Sequence, residues 1–324
     1  MIKRCVRALA LLFAGTKLAF ALGTLHATGT PPAPDKYPAS RTAAAQVLGA
    51  RGDAASLAAA AALSFAVPAT RAKAVDLAIR ASELDPEDPR IAWLRLQLCM
   101  NTPGCDIRDP ATTMRWIDAD NAAAWIPTLA AAQKEKDTTD VDRILADMAQ
   151  GLRFDLYWNR TVVLLFDALK KAGGSLPAGY VQSDFARLIE VSGIAVGEII
   201  PPFAPLMNAC REPQGSERRE ACLKLSKVMQ RGDTVIAQME GFSIERHLTA
   251  PDSKEGRALA ERRRVLEWRA STASRFDAPL LPWSKNAHAR TRVAQMRAMP
   301  REEDVDLAVL RQNRMPLEPP EDQR

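Results

Sequence analysis

One short segment occurs twice in this 324-residue chain, and its tryptophan a third time. Leu84-Asp85-Pro86-Glu87-Asp88-Pro89-Arg90-Ile91-Ala92-Trp93 returns, one residue shorter, as Ile117-Asp118-Ala119-Asp120-Asn121-Ala122-Ala123-Ala124-Trp125. Phe154-Asp155-Leu156-Tyr157-Trp158 is a weaker echo, so the three tryptophans stand 32 and 33 residues apart. A period of that size means units that cannot bury an apolar face alone and must stack on their neighbours. In the first two units an apolar stretch stops at an acidic turn, and small residues then lead into Trp. Asp and Asn in such turns compete for backbone hydrogen bonds, which makes them helix stops and caps.

The rest of the chain also reads as helix. Between Arg41 and Ala66, 12 of 26 residues are Ala, the strongest helix former, and Pro68 to Thr70 ends that stretch. Arg71 to Leu84 places Ala74, Leu77, Ala78 and Ala81 at helical spacing. Thr138 and Ser183 stand where caps belong, Asp233 stands before a helix from Thr234, and Asp252 or Ser253 before a long charged one. Val191 to Met207 is apolar but for Glu198 and is broken by Pro201-Pro202, which suits a buried helix; Gly193 and Gly197 would let another helix approach closely. No segment alternates as a strand does. The expected fold is all-α, with helical hairpin repeats over about residues 41–172 followed by a C-terminal helical bundle. The implied divisions are a leader 1–27, a Pro-rich linker 28–40, a repeat region 41–174, a helical region 175–299, and a short helix with a disordered tail over 300–324.

The period and the helix–acidic turn–helix pattern resemble tetratricopeptide-like repeats over about Arg71 to Ala172. LDPEDPRIAW looks like a junction between two such repeats, although Leu94-Arg95-Leu96 stand where that family carries Gly and Tyr after the Trp. The CMNTPGCD loop, the AAAW and FDLYW segments and a later Cys pair together resemble uncharacterised exported helical proteins of Gram-negative bacteria. That resemblance implies architecture and brings no chemistry.

The N-terminus points to export. Lys3, Arg4 and Arg7 precede a short apolar stretch, and Ala19-Phe20-Ala21 and Leu25-His26-Ala27 have the small-x-small form of a cleavage site. Lys17 leaves the apolar segment shorter than the ~20 residues a spanning helix requires, so membrane attachment is expected only if this segment is not cleaved. Beyond Cys5, Cys99 and Cys105 flank five residues and Cys210 and Cys222 flank eleven. Four cysteines allow three pairings; the local one, 99–105 and 210–222, is the natural choice, with free thiols and a zinc site as alternatives. Disulfides and a leader together imply an oxidising compartment, periplasmic or secreted.

Catalytic candidates are few. After cleavage His247 and His288 remain, in unlike contexts, and no GxSxG, HExxH, P-loop or GxGxxG is present. Glu198, alone in an apolar run, would have a raised pKa and could act as a general acid beside a second carboxylate, as in a cell-envelope hydrolase. Arg262-Arg263-Arg264 is a basic run whose helix neighbours Glu261 and Glu267 offset it. Trp93, Trp125, Tyr157 and Trp158 are the candidates for binding a partner, on the alternative that an early Trp packs between its own helices. No metal or cofactor is implied.

The formal charge of +5 comes largely from the leader, which holds four basic groups and no acid. Without residues 1–27 the chain is at +1, with −3 over 28–210, +7 over 211–300 and −3 over the last 24 residues. A near-neutral mature chain gives no expectation of nucleic acid. The expected function is an exported protein-interaction or scaffold module that contacts a protein or peptide of the cell envelope.

Overall fold

A computed structural model describes residues 37–198, 200–211, 215–276 and 285–321. The expected leader and most of the linker lie outside the described residues. Among those described there are fifteen α-helices and no strand, with one isolated parallel bridge between Asn121 and Arg153.

Helix α1 (Tyr37–Arg51) takes in the last four residues expected in the linker. The alanine-rich stretch is two helices, because Gly52 adopts φ +74° and Asp53 accepts a hydrogen bond from the Ser56 amide (3.1 Å), opening α2 (Ala54–Phe65). Gly followed by Asp is a stop–start signal that alanine content conceals.

Six helices follow. Helix α3 (Arg71–Leu84) turns into α4 (Pro89–Met100), where Asp88 accepts from the Arg90 amide (2.9 Å) and Pro89 fills the first turn. Helix α5 (Arg108–Ile117) leads through a 3-10 turn at Ala122–Trp125 into α6 (Ile126–Glu135). Helix α7 (Thr138–Met148) precedes α8 (Trp158–Ala172). The cap of α7 is Asp137, one residue before the expected Thr138; its carboxylate accepts from the Asp140 amide (2.9 Å). Helix α8 packs back on α1 and α2.

The remaining helices are α9 (Asp184–Glu198), α10 (Ala204–Arg211), α11 (Ser216–Met229), α12 (Val235–Leu248), α13 (Lys254–Ser274), α14 (Lys285–Ala298) and α15 (Glu302–Gln312). Ser183 and Ser253 cap α9 and α13 as their positions suggest. Helices α10 and α11 pack on α6 and α7, and α14 packs on α8 and α9. One continuous core therefore runs from Ala44 in α1 to Met296 in α14 and does not divide near residue 174. Two small clusters, Phe242–Leu259–Leu266 and Ala273–Val309–Leu310, sit beside it.

Two expectations fail. The tail is not disordered up to Glu321: Met315 and Leu317 pack on the Ala273 cluster, and Trp268 and Arg269 donate to the Pro316 and Leu317 carbonyls (3.3 and 3.0 Å). Arg and Trp donors on α13 thus satisfy backbone that composition alone assigns to solvent. Gly193 and Gly197 are exposed, and nothing comes within 4 Å of a Cβ built on either, because α9 buries its opposite face.

Both local disulfides form. Cys99–Cys105 closes the loop between α4 and α5, and Cys210–Cys222 ties α10 to α11. Loop entropy assigns each about 2–3 kcal/mol. Denaturant unfolding with and without dithiothreitol checks this: the reduced protein is expected to lose about 4–6 kcal/mol if the two contributions add.

Candidate functional site

The turns between paired helices hold most of the unusual chemistry. At the end of α5, Asp118 is buried, and its carboxylate accepts from the Tyr157 hydroxyl and the Arg153 guanidinium. Three residues on, Asn121 is fully buried and uses both ends of its amide. Its Oδ1 accepts from the Ala123 and Asp155 amides (3.1 and 2.9 Å), while Nδ2 donates to the Asp155 carbonyl and the Tyr157 hydroxyl (2.9 and 3.4 Å). The backbone joins in: Leu152 and Arg153 donate to the Asp120 carbonyl, and Ala122 donates to the Arg153 carbonyl. The strands of chain come so close at Gly151 that a Cβ there would stand 3.0 Å from the Ala122 methyl and 3.1 Å from the Asp120 oxygen. Glycine is required by this approach.

Tyr157 sits at φ +57°, buried, and burial pushes its hydroxyl up to about 12, so it stays a donor to Asp118. Its ring lies 6.2 Å from that of Trp93, which is fully buried. Trp125 is half-buried under the Arg115 guanidinium (4.7 Å to the ring centre), and Trp158 is half-buried at the first position of α8. Both pack against the main core. The four aromatics proposed for binding are thus core or core-edge residues, and they do not line one groove. Among the described residues, the exposed large aromatic is one outside the repeated segments, Trp116, at 77% of its full exposure.

Asp233 was expected to cap its own helix. Thr234 does so instead, accepting from the Ala237 amide (3.2 Å). The Asp233 carboxylate crosses to the start of α8 and accepts from the Leu156 and Trp158 amides (2.8 and 3.3 Å), a cap supplied from another part of the chain. The Asp233 amide donates to the Phe154 carbonyl, and the Glu302 amide donates to the Asp233 carbonyl. The Glu302 carboxylate in turn accepts from the Val235 amide (2.8 Å). Burial, with Asp155 and Glu302 nearby, pushes the Asp233 carboxyl up to about 8 against the pull of its two backbone donors.

Glu198 is buried at the end of α9, and burial raises it to about 7, with Arg71 and Arg41 pulling it back. The other buried carboxylate of α9 is Glu190, eight residues earlier, about 12 Å along the helix. Glu190 already accepts from Arg41 Nε and the Tyr180 hydroxyl, both at 2.7 Å. Helix α9 therefore does not itself pair Glu198 with a second free carboxylate.

His247 lies in the last turn of α12, where burial and the charges of Arg246 and Arg211 lower its pKa. The arginine run is paired: Arg263 with Glu267 (2.9 Å), Arg264 with Glu261 (2.6 Å), and Arg262 near Glu245 (3.8 Å). Arg257 donates to the Asp252 carbonyl. Among the described residues no group of three His, Cys, Asp or Glu is arranged to hold a metal ion, and no helix is long and apolar enough to cross a membrane.

Two substitutions test these assignments. Asp233→Ala orphans two amides and is expected to destabilise the fold by about 2–4 kcal/mol in urea titration. Glu198→Gln tests the raised carboxyl. Because the folded pKa exceeds the unfolded one, the group's stabilising contribution is complete below pH about 4.5 and lost as pH rises through about 7. The variant is expected to match the parent near the acid limit and to exceed it by about 1–3 kcal/mol at about pH 8, read from denaturation at the two pH values.

No protein family, no curated protein and no solved structure matches this chain.

Proposed function

We propose that this chain is an exported helical-repeat protein that serves as an interaction or scaffold module in the cell envelope, and that its tetratricopeptide-like hairpins are its binding framework. The observation that carries this reading is the sequence repeat: helix, acidic turn and helix occur twice, the three tryptophans stand 32 and 33 residues apart, and a buried polar network joins the Asp118–Asn121 turn to the segment before α8. A rigid row of equivalent turns offers regularly spaced side chains to a partner and changes little on binding. The two disulfides are weakly suggestive of an oxidising compartment, and the basic n-region with its small-x-small sites accords with export.

The test is expression of the tagged full chain in a Gram-negative host, followed by osmotic-shock fractionation, intact-mass measurement and cross-linking in the compartment. The expected outcome is a soluble periplasmic chain that begins after Ala21 or Ala27, with both disulfides formed and cross-linked to a defined envelope protein. A mature chain that keeps Met1 in the membrane fraction, or one that cross-links to nothing, overturns the reading.

A further inference from the structure

The two disulfides stand in unlike surroundings. Cys210 and Cys222 are both fully buried and belong to the main core, where α10 and α11 pack on α12 and on α6 and α7. Cys99, in the last turn of α4, is also buried, but its partner Cys105 is partly exposed. Pro103, Gly104 and Asp106 beside it are exposed. A thiolate exchanges with a disulfide only where it can reach one of the sulfurs. Cys105 is the one bridged sulfur that offers such access; to reach Cys210 or Cys222 the core must open.

The loop that carries Cys105 is also held by bonds other than the bridge. The Asn101 amide and side chain donate to the Gln97 carbonyl (3.1 and 3.0 Å), and the Thr102 amide donates to the Cys99 carbonyl (3.1 Å). The Thr102 hydroxyl donates to the Leu98 carbonyl (2.7 Å), and the Cys105 amide closes the turn on the Thr102 carbonyl (3.2 Å). Beyond the loop, Asp109 in the first turn of α5 pairs with Arg95 of α4, and α5 packs on α4. Breaking the Cys99–Cys105 bond removes a restraint on the chain and leaves each of these contacts in place.

We propose that Cys99–Cys105 is a thiol–disulfide exchange site for a small thiol of the glutathione class, with Cys105 the sulfur that is modified, and that Cys210–Cys222 is a permanent structural bond. The entering thiolate bonds to Cys105 Sγ as the Sγ–Sγ bond breaks, and the electron pair leaves on Cys99 Sγ, which takes up a proton. A second thiolate then attacks the entering sulfur and releases Cys105 as a thiolate, which is protonated in turn. Two thiols become one small disulfide, and the bridge gains two electrons and two protons. The buried position of Cys99 fixes the order, because the mixed disulfide forms on the exposed side.

The experiment incubates the full mature chain with reduced glutathione under native conditions. Samples are quenched with acid, blocked with N-ethylmaleimide and mapped by peptide mass. Cys99–Cys105 is expected to open at least about tenfold faster than Cys210–Cys222, with glutathione trapped on Cys105. Circular dichroism of the half-reduced protein is expected to keep the helical signal. Two variants test the direction of attack apart from the bridge: the free Cys105 of Cys99→Ser is expected to alkylate with iodoacetamide at least about tenfold faster than the free Cys99 of Cys105→Ser. Equal opening of the two bridges, glutathione on Cys99, loss of the helical signal on half-reduction, or equal alkylation of the two variants overturns the inference.

Discussion

A buried carboxylate and a buried amide hold the centre of this molecule together. Asp118 and Asn121 stand at the end of one helix and satisfy the hydroxyl, guanidinium and backbone groups of the segment from Arg153 to Tyr157. Buried polar groups stabilise only when every partner is present, and the loss of one leaves the rest desolvated and unpaired. Here they convert a turn and an irregular connection into one rigid piece. That piece sets where α8 begins. Helix α8 then gives α2, α9 and α14 a surface to pack on, so the continuous core follows from the lock. Asp233 completes it from the far side by capping α8 in place of any local residue.

The parts of the fold that sequence reveals are those with local causes. Alanine content, helical spacing and Asp-Pro turns identify the helices, and short cysteine separations identify both disulfides. Where the cause is distant, the reading fails. Asp233 looks like the cap of the helix beside it, because nothing local shows that Thr234 will serve there and free its carboxylate. The tail from Met315 looks polar and Pro-rich, yet donors on α13 nearly fifty residues earlier hold it. Gly52 is the opposite case, a local signal hidden inside an alanine-rich stretch.

The candidate site was half legible. Periodicity draws attention to Trp93, Trp125 and Trp158, which pack in or at the edge of the main core. The residues that face solvent, Leu84, Trp116 and Leu152, do not align to the same register, and only the burial pattern separates them from the core.

The return of α8 onto α1 and α2 has a consequence for how such a chain can vary. In an open stack, each unit meets only its neighbours, and units can be gained or lost at little cost. Here α8 packs back on α1 and α2, so the helices between them form a path whose two ends meet. Any insertion or deletion along that path must still return α8 to the alanine face of α2, whereas substitutions on its outer side chains leave the closure untouched.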